Sequence, residues 1–363
     1  MPPLTDRVLM GPGPCNPYPE AVEALARPML GHLDPEFVAI LDETCDRLRA
    51  VFRTANPMTL PISGTGSAGM EAAFVNLVRP GDPVVVGVNG VFGARMCDVA
   101  ARCGAEVVAV EAPWGQPIDP ERLLSAHPAP RIIAVVHAET STGVRSDVAP
   151  LGAGKGDALL LVDCVTSVGG IEVDIDGWGV DVAYAGTQKC LGVAPGLAPL
   201  TVSERARDRL VERSPSWYLD LRMIGRYTGP ATGPRTYHHT APVSMILSLH
   251  AGLGAVLDEG LDAAIARHAE CGRLLRDGLV DLGLELFAAE GHRLPELTTV
   301  WIPEGVDDAK ARASLLDRYG IEIGGGLGEF AGRVWRIGCM GHTARPRNVT
   351  LVLGALAEVM DGR

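Results

Sequence analysis

The chain has 363 residues, of which 47% are hydrophobic and 21% are charged, values typical of globular proteins rather than disordered ones. This length exceeds the roughly 250–300 residues at which single hydrophobic cores stop growing, so more than one domain is expected. The 32 basic and 44 acidic residues give a formal net charge of −12, which argues against nucleic acid or an anionic membrane as the main partner.

The N-terminal stretch and the cysteines bear on cellular location. MPPLTDRVLMGPGPCNP lacks a basic stretch followed by an apolar one, so no secretory signal is predicted. No apolar run reaches the roughly 18 residues of a membrane-spanning helix. The eight cysteines are scattered without a CxxC pair, which favours reduced thiols and a cytoplasmic protein.

In chain order, the first elements are nearly continuous apolar runs that predict buried strands of a parallel sheet. Segments with helical spacing, 93–105 and 119–127, lie between them. This alternation predicts an α/β domain with right-handed crossovers. The predicted strands are 83–88, 105–110, 131–139, 158–163 and 180–186.

The pattern changes after Pro242, where long helical segments replace the short strands. The elements there predict a compact α+β unit, with a boundary near residue 250. We therefore expect an N-terminal segment 1–20, a large domain 21–250 and a small domain 251–363. The predicted elements are helices 242–260, 261–283 and 307–320, strands 297–303 and 333–338, and a last helix from Pro346.

Polar side chains directly follow three of the predicted strands. Asp163 ends the run LLLVD, and Lys189 follows AYAGTQ. In HAETSTG, the residues His137, Glu139 and Thr140 follow a third run. Because ligands of open parallel sheets bind beyond the carboxyl ends of the strands, these positions are the first candidates for a site.

Two of these side chains together point to one cofactor. Asp163 alone is equally well explained as a cap for the following turn, and Lys189 alone as a strand-end lysine that reaches solvent. A partly buried lysine amine, however, has a depressed pKa and forms Schiff bases with carbonyl compounds. Pyridoxal phosphate requires such a lysine on its aldehyde and an acidic partner on its pyridine nitrogen.

The segment SGTGSAG, residues 63–69, suits the phosphate of such a cofactor. Glycines let backbone amides approach an anion, and a helix N-terminus favours it. A tight turn that merely caps a helix is the common alternative. A dinucleotide fingerprint is disfavoured, because the loop follows no long parallel strand of a βαβ unit and no acidic residue follows at the expected interval.

The chain as a whole resembles the class V pyridoxal-phosphate aminotransferases of fold type I, in particular the alanine–glyoxylate and serine–pyruvate group. The motifs that carry the resemblance run nearly end to end: GPGP, ISGTGSAGMEAA, HAETSTG, LLVDCVTSVGG, GTQKCLGVAPG, YHHT, GGLG and WRIGCMG. The resemblance implies a large domain with a mainly parallel sheet, a smaller C-terminal α+β domain, and pyridoxal 5′-phosphate as cofactor.

By motif, the resemblance assigns roles to individual residues. Lys189 would form the Schiff base, and Asp163 would pair with the pyridine nitrogen. Phe92 would stack on the pyridine ring, where the family often has tryptophan; an ordinary core residue is the alternative. The other implied cofactor contacts are Gly66, Ser67, Ala68 and Gln188 at the phosphate, Thr140 near the ring hydroxyl and Ser167 near the cofactor plane. The roles of His32, His137 and Glu139 stay open.

Two further motifs concern a partner subunit and the substrate. In YHHT, Tyr237 and Thr240 would reach the phosphate in the neighbouring subunit, which implies a homodimer with shared sites. A metal site is the alternative, but adjacent histidines project differently and no third ligand is placed by spacing. Arg336 would clamp the substrate carboxylate, because a guanidinium matches it with two parallel hydrogen bonds. A salt bridge is the alternative for Arg336.

The predicted reaction moves the amino group of alanine or serine to glyoxylate or pyruvate by a ping-pong mechanism. No second arginine is evident for a side-chain carboxylate, although Arg95 and Arg235 remain candidates. The alternative activity is (S)-ureidoglycine–glyoxylate transamination. It is disfavoured because that subgroup carries glutamine and asparagine where this chain has His32 and Tyr237, so an acyl-urea would lose its amide partners.

Two other classes of protein stay open. A cysteine desulfurase would share the cofactor but needs a mobile loop cysteine, whereas Cys339 directly follows the predicted strand of Arg336. A non-enzymatic α/β binding protein would need neither Asp163 nor Lys189. Cys190, beside the lysine, is interpreted as a small buried side chain.

Overall fold

The computed structural model describes residues 5–228 and 235–361. Within these ranges the helices are α1 (Pro19–Leu25), α2 (Pro35–Phe52), α3 (Gly66–Leu77), α4 (Val91–Arg102), α5 (Pro120–Ser125), α6 (Ala149–Gly154), α7 (Glu204–Arg207), α8 (Leu221–Thr228), α9 (Val243–Glu259), α10 (Leu261–Asp281), α11 (Asp308–Tyr319) and α12 (Pro346–Asp361). Short 3-10 turns cover Gly328–Phe330 and Gly341–Thr343.

The strands of the described residues are β1 (Val8–Leu9), β2 (Met58–Ser63), β3 (Pro83–Val88), β4 (Glu106–Glu111), β5 (Ile132–Val136), β6 (Ala138–Glu139), β7 (Val144–Arg145), β8 (Leu159–Asp163), β9 (Val182–Tyr184), β10 (Leu197–Val202), β11 (Leu297–Trp301), β12 (Ile321–Glu322), β13 (Gly324–Gly325) and β14 (Val334–Gly338).

Seven strands form one mostly parallel sheet in the order β2-β10-β9-β8-β5-β3-β4. Strand β10 is antiparallel to both of its neighbours, and every other neighbouring pair is parallel. The central strands are mostly apolar and are buried on both faces, as in β5, because helices pack against the sheet. The predicted α/β class with a mainly parallel sheet is confirmed.

The predicted strands are present with small shifts, and two strands of the large sheet, β2 and β10, were not predicted. Segment 131–139 divides at His137, because β6 pairs with β7 instead of continuing in the large sheet. Strands β2 and β10 escaped prediction because each contains a proline, and Pro61 lies opposite Pro199 in their register. Proline donates no ladder hydrogen bond and weakens the pattern by which a strand is recognised.

The C-terminal part forms a second, smaller core. Strands β11, β14 and β13 make an antiparallel sheet on which α10 and α11 pack, and α12 packs against both of these helices. The elements predicted after Pro242 are all present, but the first of them, α9, packs on α1 and α2 and belongs to the first core. The proposed domain boundary near residue 250 stays a prediction. The two apolar cores meet within α10, with Ala264 in the first and Cys271 in the second.

Residues 8–18, which we call the N-terminal strap, connect the small core to the large sheet. Strand β1 pairs in parallel with β12, with Val8 opposite Ile321. Further along, the Tyr18 amide donates to the Gly192 carbonyl at 2.8 Å. The strap therefore passes over the turn that follows β9.

Two general expectations can be compared with the described residues. All eight cysteines are free. Among residues 5–228 and 235–361, no helix combines the length and the apolar character needed to cross a membrane.

Candidate active site

The carboxyl ends of β2, β8 and β9 meet at one edge of the large sheet, because these three strands run in the same direction. Strand β8 ends at Asp163, which lies opposite Tyr184, the last residue of β9. A cavity of about 180 Å³ opens at this edge. Its lining consists of Thr65, Gly66, Ser67, Met70, Phe92, Arg95, Val136, Ala138, Thr140, Asp163, Val165, Thr166, Gln188 and Lys189.

Asp163 is a buried carboxyl group held by two donors. The Val165 amide donates to Oδ1 at 2.8 Å, and the Tyr184 hydroxyl donates to Oδ2 at 2.9 Å. Burial raises the pKa of Asp163 to about 7, and the nearby Glu139 carboxyl acts in the same direction. A positive charge in the cavity would favour the ionised form.

Lys189 lies in the turn after β9, beneath the N-terminal strap. Its amine donates to the Pro12 carbonyl, and burial lowers its pKa to about 8. The strap can approach this closely only because residue 13 is glycine. Gly13 has φ +102°, and a Cβ atom there would lie 2.5 Å from Lys189 Nζ.

The glycine-rich segment forms the start of α3. The Ala68 amide donates to the Thr65 carbonyl at 2.7 Å, so it takes part in the first turn. The Gly66 and Ser67 amides have no acceptor among the described residues. A Cβ atom on Gly66 would lie 2.8 Å from Val165 Cγ2, so glycine is needed for the close packing of this turn. The two free amides form an anion cup at a helix N-terminus.

Glu139 holds the helix that carries Phe92. Its Oε2 accepts hydrogen bonds from the Phe92 amide at 3.1 Å and from the Gly93 amide at 3.3 Å, which caps α4. Its Oε1 accepts from the Ser141 hydroxyl at 2.5 Å. Glu139 is therefore a scaffold residue, and Phe92 presents its ring to the cavity with the Arg95 guanidinium 4.9 Å from the ring centroid.

Arg336 lies on β14, on the side of the small core. Its Nε donates to the Gly325 carbonyl at 2.8 Å, and its Nη1 donates to the Thr140 carbonyl at 3.1 Å. No carboxylate within the described residues forms an ion pair with it, so the salt-bridge alternative is not found there. Burial lowers the pKa of the Arg336 guanidinium to about 10.

Several predicted residues lie outside the cavity lining. Ser167 is fully buried and does not line the cavity, whereas its neighbours Val165 and Thr166 do. Tyr237 is 54% exposed, with its ring centroid 5.2 Å from that of His32, and Thr240 is also exposed. Ala68 and Arg336 contact lining residues without lining the cavity themselves.

The structure shows the surroundings of the histidines and cysteines whose roles the sequence left open. His137 packs edge-on against Trp178, and burial lowers its pKa to about 3. The described residues contain no group of three His, Cys, Asp or Glu side chains placed to hold a metal ion. Cys339 and Cys190 are both buried, and burial raises the pKa of each thiol.

Sequence reasoning missed several contributors, most notably Tyr184. A usable signal existed: Tyr184 ends its strand as Asp163 ends the preceding one, and parallel neighbours bring such ends together. Arg235, held in reserve as a second carboxylate clamp, bonds instead to Asp42 and to the Tyr227 carbonyl. The other lining residues without a prediction are Thr65, Met70, Val136, Ala138, Val165 and Thr166.

The cavity has the groups that pyridoxal phosphate requires. The free amides of the anion cup suit a phosphate, and the same cavity is lined by Gln188, whose side-chain NH2 group can donate to a phosphate oxygen. The Asp163 carboxyl suits a ring nitrogen that carries a proton, and the Lys189 amine suits an aldehyde. Fold and site together define an α/β enzyme that uses pyridoxal phosphate.

Comparison with known proteins identifies the family. The model of the class-V aminotransferases matches residues 15–331, and the chain belongs to this family. It is 41% identical to the alanine–glyoxylate aminotransferase of Drosophila melanogaster, over 99% of this chain and 93% of that protein. It is 37% identical to the (S)-ureidoglycine–glyoxylate transaminase of Bacillus subtilis, over 98% and 90%.

A solved structure agrees with this placement. The alanine–glyoxylate aminotransferase from Nostoc sp. matches with a TM-score of 0.96 and 44% sequence identity, covering 99% of this chain and 97% of that one. The predicted family, fold and cofactor are therefore confirmed.

Proposed function

We propose that this class-V aminotransferase moves the amino group of a small L-amino acid, alanine or serine, to glyoxylate or pyruvate. The observation that carries the proposal is Arg336, a buried cation that bonds to Thr140 of the cavity lining and has no carboxylate partner among the described residues. One such guanidinium suits the single carboxylate of alanine or serine. The names of the relatives in Drosophila melanogaster and Nostoc sp. support alanine and glyoxylate as a substrate pair.

In the proposed mechanism, Lys189 and Asp163 carry the chemistry. Bound pyridoxal phosphate supplies an electron sink for the negative charge left when the substrate loses its α-proton. The Lys189 amine holds the cofactor covalently between turnovers and, once released, carries the α-proton as a general base. Its pKa of about 8 leaves a usable neutral fraction at neutral pH. Asp163 keeps a proton on the pyridine nitrogen.

The remaining residues bind and orient. The Gly66 and Ser67 amides, the N-terminus of α3 and Gln188 bind the phosphate. Phe92 and Thr140, which both line the cavity, would hold the ring of the cofactor, Phe92 through its aromatic face and Thr140 through its hydroxyl. Arg336 orients the substrate carboxylate, because its fixed fork selects one plane for that group. After the first half-reaction the keto acid leaves and a second keto acid takes its place, which gives ping-pong kinetics.

An absorption titration tests the substrate proposal. L-Alanine or L-serine is expected to remove the visible absorption of the lysine-bound cofactor, and glyoxylate is expected to restore it. L-Aspartate should act weakly. A holoenzyme that ignores alanine and serine but responds to (S)-ureidoglycine would overturn the proposed donors.

The same titration with Arg336→Gln tests the carboxylate clamp. A charge-assisted hydrogen bond contributes about 1.5–3 kcal/mol, so the alanine concentration for half-conversion should rise roughly 10- to 100-fold. The matched control is Arg333→Gln on the loop before β14, where the guanidinium stacks on Trp301 away from the cavity. Equal effects of the two substitutions would contradict the role of Arg336.

(S)-Ureidoglycine–glyoxylate transamination is the second candidate activity. It is supported by the Bacillus subtilis relative, which matches this chain over nearly its full length. Against it, the two positions that the subgroup fills with amides are occupied here by the rings of His32 and Tyr237, which contact each other.

We also propose that the protein is a homodimer whose sites are shared. An exposed aromatic surface supports this: Trp217 stacks on His238, Tyr218 on His239 and Tyr237 on His32, at centroid distances of 4.4, 4.6 and 5.2 Å. Trp217 and Tyr237 are 59% and 54% exposed, an unusual amount of aromatic surface to leave in water. Burial against a second copy would bring Tyr237 and Thr240 to the partner's phosphate site. A cytoplasmic location stays a prediction.

Mixing two inactive variants tests the shared site. In a dimer of one Lys189→Ala subunit and one Tyr237→Ala subunit, one of the two sites retains both residues. Random mixing should therefore restore about a quarter of the wild-type activity, whereas neither variant alone is active at a comparable level. Mixing Lys189→Ala with Asp163→Asn is the control. Because one subunit supplies both residues to a site, every site in the hybrid dimer lacks either Lys189 or Asp163, and no activity should return. Absence of recovery in the first mixture would contradict shared sites.

A further inference from the structure

Tyr184 is a buried polar residue at the site for which the proposed mechanism has no role. It ends β9 directly opposite Asp163, and its side chain is fully buried. Its hydroxyl donates to Asp163 Oδ2 at 2.9 Å. Burial and the Asp163 carboxyl both raise the pKa of this phenol, so it keeps its proton and remains a donor.

Asp163 has few other partners. The second donor is the Val165 amide, which bonds to Oδ1. The Lys189 amine, the nearest cation that lowers the pKa of Asp163, is bonded to the Pro12 carbonyl instead. The other titratable group that acts on Asp163 is Glu139, which raises its pKa, and Asp163 in turn raises the pKa of its neighbour Cys164. A buried carboxylate with two donors depends strongly on each of them.

The ring of Tyr184 is held by the helix of the anion cup. A Cβ atom on Gly69, in α3, would lie 2.9 Å from Tyr184 Cβ and 3.2 Å from Ala198 Cβ. Glycine at this position lets α3 pack directly against Tyr184 between two strands. The helix that begins at the anion cup therefore also fixes the residue that holds Asp163.

We propose that Tyr184 is a positioning residue, which fixes one oxygen of Asp163 and stabilises the carboxylate form that pairs with the protonated pyridine nitrogen of the cofactor. This inference rests on the role of Asp163 in the proposed function. Loss of the Tyr184 hydroxyl should therefore alter cofactor binding and the pH range of activity. A residue needed only for folding would alter stability without these two changes.

Tyr184→Phe in the holoenzyme tests the inference, with Tyr18→Phe as the matched control. Tyr18 is also buried, and its hydroxyl also bonds to a charged group, Arg267, at 3.0 Å, but it lies outside the cavity. The Kd for pyridoxal phosphate, measured by fluorescence quenching from pH 5.5 to 8.5, and the pH profile of kcat/KM are the readouts. The thermal midpoint of each variant reports any loss of stability.

For Tyr184→Phe, the Kd is expected to rise about 10-fold near neutral pH, with the acid limb of the kcat/KM profile displaced upwards by about one pH unit. The two effects should shrink at high pH, where Asp163 is ionised in both proteins. Tyr18→Phe should lose stability without either change. Unchanged Kd and pH profile in Tyr184→Phe, or the same shifts in Tyr18→Phe, would overturn the inference.

The outcome is distinguishable from failure of the proposed function. If Asp163→Asn binds the cofactor and turns over like the wild type, the assigned role of Asp163 is wrong. If Asp163→Asn loses both while Tyr184→Phe shows no pH shift, only the role of Tyr184 is wrong.

Discussion

Replacing Lys189 with alanine should lower transamination by about 10²- to 10⁴-fold, because proton transfer by a positioned base contributes a factor of that size. The variant also loses the amine that holds the cofactor covalently. The structure supports both roles, since the Lys189 amine is buried at the cavity with a pKa lowered to about 8. Initial-rate assays with alanine and glyoxylate measure the loss.

The chain offers sharp controls for this prediction, because it contains only three lysines, Lys155, Lys189 and Lys310. Lys155→Ala removes an ion pair with Asp181 at 2.5 Å, far from the lining of the cavity, and should leave the rate nearly unchanged. Borohydride reduction of the holoenzyme followed by peptide mapping should label Lys189 alone. Label on either of the other lysines, or full activity of Lys189→Ala, would contradict the assignment.

A small amine provides a second check. Alanine at position 189 leaves space in which ethylamine can act as a proton carrier, so added ethylamine should restore part of the rate. The same amine should have no effect on the wild type. Rescue that depends on the pKa of the added amine would identify the missing group as a base.

Asp163→Asn should stabilise the cofactor-free protein at neutral pH while it inactivates the enzyme. In the folded protein the pKa of Asp163 is raised to about 7, whereas in an unfolded chain it is about 3.9. Between these two pH values Asp163 is protonated in the folded state and ionised in the unfolded state. The free energy of unfolding therefore falls as pH rises from about 4 to about 7 and then levels off. Asparagine cannot ionise and lacks this contribution.

The measurement is urea unfolding of both cofactor-free proteins from pH 4.5 to 8.5. The variant should be more stable than the wild type above pH 7, with a difference that disappears towards pH 4. Glu139 and Glu296 also have raised pKa values, but they are present in both proteins, so the difference between the two curves isolates Asp163. If the free energies of unfolding of the two proteins changed in parallel with pH, the raised pKa of the buried Asp163 carboxyl would be contradicted.

The activity of the same variant should fall at least about 100-fold, because a charged group aimed at a developing charge contributes on this scale. Cofactor affinity should fall with it. A variant that gains stability and loses function shows that the buried charge is kept for the site at the expense of the fold.

Much of the fold could be predicted because its signals are local. The central strands, such as β5 and β8, are continuous apolar runs, and the C-terminal helices have clear spacing and ends. Strands β2 and β10 could not be recognised in this way. Their prolines weaken each strand separately, and only the pairing of one strand with the other stabilises both.

The residues of the candidate site also fall into two groups, those that the sequence reveals and those that it does not. Lys189 and Asp163 could be found because they are single charged residues at the ends of apolar runs. The contacts of Glu139 could not, since a carboxylate that caps α4 is defined by a contact across 46 positions of the chain. Tyr184 had a signal in its place at the end of β9, but only the structure shows its hydrogen bond to Asp163, 21 positions away.

By itself, the sequence determined the class of fold and the cofactor chemistry, and it singled out Lys189 and Asp163 as candidate residues, because strand patterns and strand-end charges depend on neighbours along the chain. Only the tertiary structure decided how these groups are held. It placed Pro12 against the Lys189 amine, 177 positions away, and Arg336 against Thr140, 196 positions away. Contacts of that separation arise when the sheet, the small core and the strap pack together, and no local pattern specifies them.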